Sequence, residues 1–279
     1  MERGLYIVPT PIGNLADITQ RAVETLMGVS LIAAEDTRHS RKLLAHYEIE
    51  TTLCAYHDHV SEQVTEQLLM RMVSGEAVAL ISDAGTPLVS DPGFRLVRAA
   101  QDKKIPVFPL PGPCAAIAAL SGAGLPTDRF FFEGFLPSKS QQRRKRLESL
   151  QHQTGTLIFY EAPHRIRATL ADAVEIMGPE REAVLARELS KTFETIKRDS
   201  LAALLSWVEA DANQQRGEQV LLIGSAPDQL GTELSERDRQ LLFRLGDELP
   251  PRKAASIVAD VSGLKARVLY DQLINREKK

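Results

Sequence analysis

Residues able to move a proton or grip an anion gather where short apolar runs give way to helix-like patterns. Glu35-Asp36-Thr37-Arg38-His39 follows the run Leu31–Ala34. Tyr160-Glu161-Ala162-Pro163-His164-Arg165 and Arg187-Glu188-Leu189-Ser190-Lys191 stand at the ends of two later runs, 156–160 and 183–186. A carboxylate or an amine so placed can serve as general base toward a hydroxyl, if the proton lies within hydrogen-bond reach. The candidates are Asp36, Glu161, Glu188 and Lys191. Lys191 is preferred, and as a base it needs a pKa lowered by burial or by a neighbouring cation. The plainer alternatives are that Asp36 caps a helix and that the charges around Lys191 form surface pairs worth little.

The basic residues at these junctions suit phosphate. Arg38 and His39 open one helix-like segment. Pro163 is expected to begin another, which puts His164 and Arg165 in its first turn, where free amides and the helix dipole favour an anion. Lys139, Arg143, Arg144, Lys145 and Arg146 lie in 138–147 with no acidic residue among them. Such a stretch marks either a phosphate-rich partner or a solvated helix face. His57-Asp58-His59 has no further clustered ligands nearby, and no metal is expected.

Three loops rich in glycine and proline each follow an apolar run: 8–14, 82–87 and 109–113. Read as parallel strands covered on both faces, the runs put these loops at their carboxyl ends, where ligands bind in α/β sheets. Gly85 permits a backbone conformation denied to other residues, while Asp83, Ser90 and Asp91 can bond local amides. The site expected is therefore built largely from main chain. No Gly-x-Gly-x-x-Gly, no P-loop and no Gly-x-Ser-x-Gly elbow occurs, which sets aside dinucleotide enzymes, P-loop nucleotidases and α/β hydrolases.

The elements that must position these residues follow from patterning. Over 1–112 strand and helix alternate, with Ser61 expected to cap one helix, and this predicts a parallel sheet with right-handed crossovers. A second α/β unit with a mixed sheet is expected over 113–226, where Pro113 is placed in the first turn of an alanine-rich helix. After a linker at 226–233, helices at 235–246, 253–261 and 264–274, with Gly263 in the last turn, have helix-turn-helix spacing. The expected domains are thus 1–112, 113–226 and 233–279. Of the 279 residues, 43% are hydrophobic and 25% charged, a globular balance. The formal net charge of −3 argues against a simple basic nucleic-acid binder, and residues 230–279 carry ten Lys and Arg against eight Asp and Glu. No run approaches the ~18 apolar residues of a membrane span, and the start leads straight into a strand without a signal peptide. Cys54 and Cys114 stand far apart, so neither a disulfide framework nor a zinc ribbon is expected and a reducing cytoplasm is.

Several segments in this order, Pro9-Thr-Pro-Ile-Gly-Asn-Leu-Ala-Asp17, Glu35-Asp-Thr-Arg38, Ser82-Asp-Ala-Gly-Thr-Pro87, Pro111-Gly-Pro-Cys-Ala-Ala116, Pro163-His-Arg-Ile166 and Arg187-Glu-Leu-Ser-Lys191, carry a resemblance. From Leu5 to about Gly224 the chain resembles the tetrapyrrole methylase superfamily of S-adenosylmethionine-dependent methyltransferases, in particular its branch acting on small-subunit ribosomal RNA. The resemblance implies a two-domain fold with the cofactor in the cleft, and a homodimer. Cofactor contacts would fall on Ser82, Asp83, Ala84, Gly85 and Leu88, on Cys114, Ala115 and Ala116, on Tyr160 and Leu189, and on Pro11 of the first loop. It implies 2′-O-methylation of a cytidine in 16S rRNA near the decoding centre. Position at strand ends and the basic stretch, rather than the resemblance, put Arg38, His39, Lys139, Arg143, Arg144, His164 and Arg165 toward the RNA. Tetrapyrrole-modifying members carry a Gly-rich first loop and a Gly-Gly-Asp-Pro loop, whereas this chain has Pro11-Ile12-Gly13-Asn14 and Asp83-Ala84-Gly85-Thr86. Main-chain contacts can therefore carry over where side-chain roles do not. Two other readings stand beside it: a methyltransferase acting on a tetrapyrrole, and a DNA-binding regulator that senses the cofactor. The basic stretch and the helical tail favour RNA, and the tail's small excess charge is weak for duplex binding.

Overall fold

A computed structural model describes residues 1–57, 62–226, 234, 236–262 and 264–276. The expected cap Ser61, the pair Asp58 and His59, the turn residue Gly263 and nearly all of the 226–233 linker lie outside the described residues. Met1–Ser225 forms one compact unit and Ala226–Lys279 a second.

The first sheet is parallel throughout. Its strands β1 (Gly4–Ile7), β2 (Leu31–Ala34), β3 (Leu53–Ala55), β4 (Ala77–Ile81) and β5 (Val107–Pro109) stand in the order β3-β2-β4-β1-β5. The continuous apolar runs have a simple cause: both faces are covered. Leu5, Leu31, Ala33, Val78 and Leu80 face α3 (Glu62–Val73) and α4 (Phe94–Asp102), through Leu68, Met72 and Leu96. Tyr6, Ile32, Ala34, Ala79 and Ile81 face α1 (Gln20–Gly28) and α2 (Thr37–His46), through Leu26 and Leu44. The loops after β1, β2, β4 and β5 consequently leave one end of the sheet together.

The second sheet is mixed, in the order β6-β7-β10-β8-β9. β6 (Phe130–Phe135) runs parallel to β7 (Thr156–Glu161), while β10 (Gln219–Ile223) is antiparallel to both β7 and β8 (Glu182–Arg187). Alternate residues divide between two cores. Leu157, Phe159, Leu185 and Leu221 pack on α6 (Ser140–Leu150), α7 (Ile166–Met177) and α8 (Leu201–Ala210). Ile158, Val184, Val220 and Leu222 pack on α5 (Ala115–Ala123) and on Ile12 of the first loop. Ile12 thereby joins the two sheets within a single unit.

Three expectations require correction. Pro113 precedes α5 rather than lying in its first turn, because Cys114 is the N-cap. Pro163 does not begin a helix either: 163–165 form a turn, and the first α7 bond runs from the Thr169 amide to the Arg165 carbonyl, 2.9 Å. His164 and Arg165 are therefore outside the first helical turn. Finally, β9 (Thr195–Ser200) and α8 were not anticipated. β9 is an exposed edge strand with no apolar alternation, and α8 begins at a Ser200 cap whose Oγ accepts the Ala203 amide.

In the second unit α9 (Glu236–Glu248), α10 (Pro251–Ser262) and α11 (Ala266–Arg276) close around Leu242, Ala254, Val258, Leu269 and Leu273. Among the described residues no helix is long and apolar enough to cross a membrane, and no three His, Cys, Asp or Glu cluster as a metal site.

Candidate functional site

Loops at the carboxyl ends of the first sheet are stitched into one surface. Thr10 and Gly85 exchange main-chain hydrogen bonds of 2.9 and 3.0 Å. The Thr86 hydroxyl donates to the Pro113 carbonyl at 2.8 Å, and the Asp36 amide to Asp83 Oδ1 at 3.1 Å. Tyr160, arriving from the second sheet, accepts the Ala116 amide at 3.2 Å. Its phenol is pushed well above the ordinary range, first by burial and then by the Cys114 thiol beside it.

Backbone strain concentrates in the same place. Of the non-glycine residues with left-handed φ, Glu48 and Lys104 merely close the ends of α2 and α4, where the next amide bonds back into the helix. Leu88 and Ser90 (φ 73° and 66°) and Glu188 and Ser190 (52° and 64°) have no such role. They sit in the loops after β4 and β8, each costing about 1 kcal/mol or more.

Two cavities adjoin between these loops. The first, about 370 Å³, is largely apolar: Ile12, Val89, Ala115, Phe135, Leu189 and Val220 line it with Ala84, Gly85, Thr86 and Tyr160. Among its described lining residues none is Lys, Arg or His, while Asp91, Glu161 and Glu218 are acidic. Asp91 is half-buried, and that burial, reinforced by Glu35 and Asp83 nearby and opposed by a Ser82 hydrogen bond, raises its pKa to about 6. The second cavity, about 340 Å³, sets charged and polar groups of His39, Lys42, Ser82, Asp83 and Lys191 beside Pro11, Gly13 and the apolar side chains of Leu15 and Leu43. Ile12, Ala84 and Glu218 line both. The pair suits a cationic ligand with apolar parts in one chamber and an anionic one in the other.

The expected cofactor residues divide accordingly. Ala84, Gly85, Ala115, Tyr160 and Leu189 line the first cavity; Pro11, Ser82 and Asp83 line the second. Cys114 borders a smaller recess with Gly112 and Ser190, Ala116 is buried against Tyr160, and Leu88 packs into the first-sheet core.

The proposed bases fare differently. Asp36 caps α2, accepting the Arg38 amide at 2.8 Å, and its hydrogen bonds with Arg38 hold its pKa down to about 2. Glu161 is buried and fully engaged: its oxygens accept the Ala162 amide (2.8 Å) and the Thr169 hydroxyl (2.5 Å) and pair with Arg165 at 3.1 Å. Lys191 needs correction. Burial does favour its neutral form, but hydrogen bonds to Glu218 (2.7 Å) and Glu188 (2.9 Å) outweigh burial and raise its pKa, so it is a cation rather than a free amine. Glu188 in turn is held ionised by Lys191 and by the Glu218 amide (2.8 Å), which overcome its partial burial.

The basic stretch also needs correction as a phosphate surface. Arg143 is buried, its Nε 2.7 Å from Asp172 Oδ2. Arg144 pairs with Glu175 and Asp172, and Arg146 with Glu133. These charges fasten α6 to α7 and β6; Lys139, Lys145 and Arg146 of the stretch stand exposed, and Arg146 is already paired with Glu133. Arg165 likewise points inward, donating to the Leu136 carbonyl as well as pairing with Glu161. Arg38, His39 and His164 are exposed.

Sequence reasoning missed Ile12, Val89, Phe135, Val220 and above all Glu218. Glu218 precedes an antiparallel strand, whose start lies beside the carboxyl ends of β7 and β8: Gln219 is in register with both Glu161 and Arg187. No local signal marks it.

Residues 4–205 match the family model of Tetrapyrrole (Corrin/Porphyrin) Methylases, and residues 232–277 match that of an RsmI C-terminal HTH domain. A Pseudomonas aeruginosa protein named Ribosomal RNA small subunit methyltransferase I is 54% identical, covering 99% of this chain and 98% of its own. A protein of the same name from Escherichia coli O157:H7 is 51% identical over 98% and 95%. Among solved structures, a diphthine synthase aligns with a TM-score of 0.62 at 15% identity, over 79% of this chain and 89% of its own. A Thermus thermophilus uroporphyrin-III C-methyl transferase complexed with S-adenyl homocysteine aligns with a TM-score of 0.55 at 17% identity, over 80% and 98%. At these identities the solved structures speak to the fold.

Proposed function

The chain belongs to the tetrapyrrole (corrin/porphyrin) methylase family, and from that premise we propose that it methylates the 2′-hydroxyl of a cytidine near the decoding centre of 16S rRNA. The methyl donor is S-adenosylmethionine, and the substrate class is small-subunit ribosomal RNA, the one named for relatives aligned over nearly the whole chain. The observation that carries the reading is the pair of adjoining cavities, one with no basic residue among its described lining residues and one with His39, Lys42 and Lys191.

A sulfonium supplies an electrophilic methyl and a neutral leaving group, so no metal is needed for the chemistry. The chain's own residues then have four tasks. Main chain of Ala84, Gly85 and Thr86, braced by Thr10 and Pro113, forms a fixed wall for the cofactor. Ile12, Leu189 and Val220 exclude water from it, which strengthens every charge interaction inside. Asp91 offers a carboxylate toward the ligand's cationic groups. His39 and Lys42 hold the incoming phosphate backbone, with exposed Arg38, Lys139 and His164 extending that surface. Positioning a hydroxyl in line with the methyl carbon supplies much of the acceleration. The working form is a homodimer, a reading supported by exposed Ile117 on α5 and exposed Phe193 and Ile196 at edge strand β9.

The test is transfer of labelled methyl from S-adenosylmethionine to small subunits from cells lacking this protein, followed by nucleoside mass spectrometry. The expected product is 2′-O-methylcytidine. A base-methylated nucleoside, or label entering a porphyrinogen instead of the subunit, would overturn the reading.

A further inference from the structure

None of the four candidate bases is left to accept the proton of the attacking hydroxyl. Asp36 is engaged as a cap, Glu161 is buried in its own bonds, Glu188 Oε1 already receives two donors, and Lys191 is protonated. Among the described residues Ile12, Ala84 and Glu218 line both cavities, and of these Glu218 alone can take a proton. A methyl passing from a donor in one chamber to an oxygen in the other must cross where the chambers meet. Resting on the methyltransferase reading, we propose that Glu218 is the general base.

Its surroundings fit that task. Glu218 Oε2 accepts Lys191 Nζ at 2.7 Å, and among the described residues no donor reaches Oε1, which is left to accept a proton. The side chain is 72% exposed, so a captured proton can pass on to water. Glu188 fixes the backbone beneath it by accepting the Glu218 amide at 2.8 Å. Gly217, at φ 77°, is required there, since a Cβ would overlap Glu188 Cδ. From the first sheet His39, Lys42 and Asp83 line the same chamber; from the second, Lys191 and Glu188 complete the charged surroundings. In the reaction the hydroxyl oxygen bonds the methyl carbon as the carbon–sulfur bond breaks onto sulfur. The hydroxyl proton goes to Glu218 Oε1 and from there to solvent, so charge and atoms balance. Glu188 and Lys191 are positioning residues in this scheme.

The experiment compares wild type, Glu218→Gln and Lys191→Met in single-turnover methyl transfer to small subunits across pH. S-adenosylhomocysteine binding by calorimetry and subunit retention on filters are measured in parallel. Glu218→Gln is expected to slow transfer by about 100-fold or more and to abolish the acid limb of the rate profile. Both binding constants should stay within about threefold. Lys191→Met should slow transfer by a smaller factor than Glu218→Gln, because it removes the 2.7 Å contact that holds the Glu218 side chain but leaves the carboxylate in place. A Glu218→Gln rate within about fivefold of wild type, a persisting acid limb, or a loss located in either binding step would overturn the assignment. Wild-type protein that binds S-adenosylhomocysteine yet labels no subunit would overturn the methyltransferase reading too, a result distinct from failure of the variant alone.

Discussion

Gly13 lies directly against the aliphatic stem of Lys191: a Cβ there would overlap Lys191 Cγ and stand 2.8 Å from Cε. One residue belongs to the loop after β1 and the other to the loop after β8, so this approach seats the lysine between its two carboxylates. Gly13→Ala is expected to displace Lys191 or to strain the loop by about 1–3 kcal/mol. Methyl-transfer rates should fall while far-ultraviolet circular dichroism is unchanged. An alanine variant with wild-type rate and melting temperature would show that the contact is idle.

Asp91 makes ligand binding depend on pH. Its folded pKa of about 6 lies above the ordinary carboxylate value, mainly because burial disfavours the ionised form. The folded state therefore binds more protons than the unfolded state between those two values, and stability falls as pH rises through that window. Asp91→Asn should remove this fall, so that the ligand-free variant melts higher than wild type at pH 7.5 and similarly at pH 4. A cationic ligand favours the carboxylate, so its affinity should rise with pH through about 6 in wild type and stay flat in the variant. Calorimetry at several pH values decides it; a pH-independent wild type refutes it.

Tyr160 connects the second sheet to the start of α5 through its hydrogen bond from the Ala116 amide. Tyr160→Phe leaves that amide without its acceptor at a cost of about 1–3 kcal/mol. Because the ring lines the first cavity, S-adenosylhomocysteine binding should weaken by roughly tenfold. Unchanged affinity would mean that the hydroxyl braces nothing the ligand senses.

The pair between Arg143 and Asp172 is nearly solvent-free, with side chains 5% and 11% exposed. Asp172→Ala strands a buried guanidinium and should cost about 3 kcal/mol or more in denaturant unfolding. Filter binding of small subunits, corrected for the folded fraction, should not change. Lost RNA affinity in Arg143→Met with full stability would restore the arginine to an RNA surface.

The sequence by itself settled whatever depends on near neighbours. Runs 5–8, 31–34 and 77–81 are apolar throughout because parallel strands there are covered on both faces, and their shortness together with the loops and helix-like patterns that follow reveals that. The loops 8–14, 82–87 and 109–113 show themselves through glycine and proline, whereas Ala84 and Ala115 were named only through the family resemblance; both line the first cavity with Gly85. β9 was not legible, since an exposed edge strand needs no apolar alternation.

Tertiary structure decided the charges. The arginines of 143–146 read as a free cationic face until α7 and β6 supply Asp172, Glu175 and Glu133. Lys191 reads as a candidate amine base until Glu188 and Glu218 close on it and make it a cation. Glu218 itself reaches the site only because β10 returns antiparallel and begins where β7 and β8 end. Coulomb energy depends on distance in space, and these distances are set by strand order rather than by spacing along the chain.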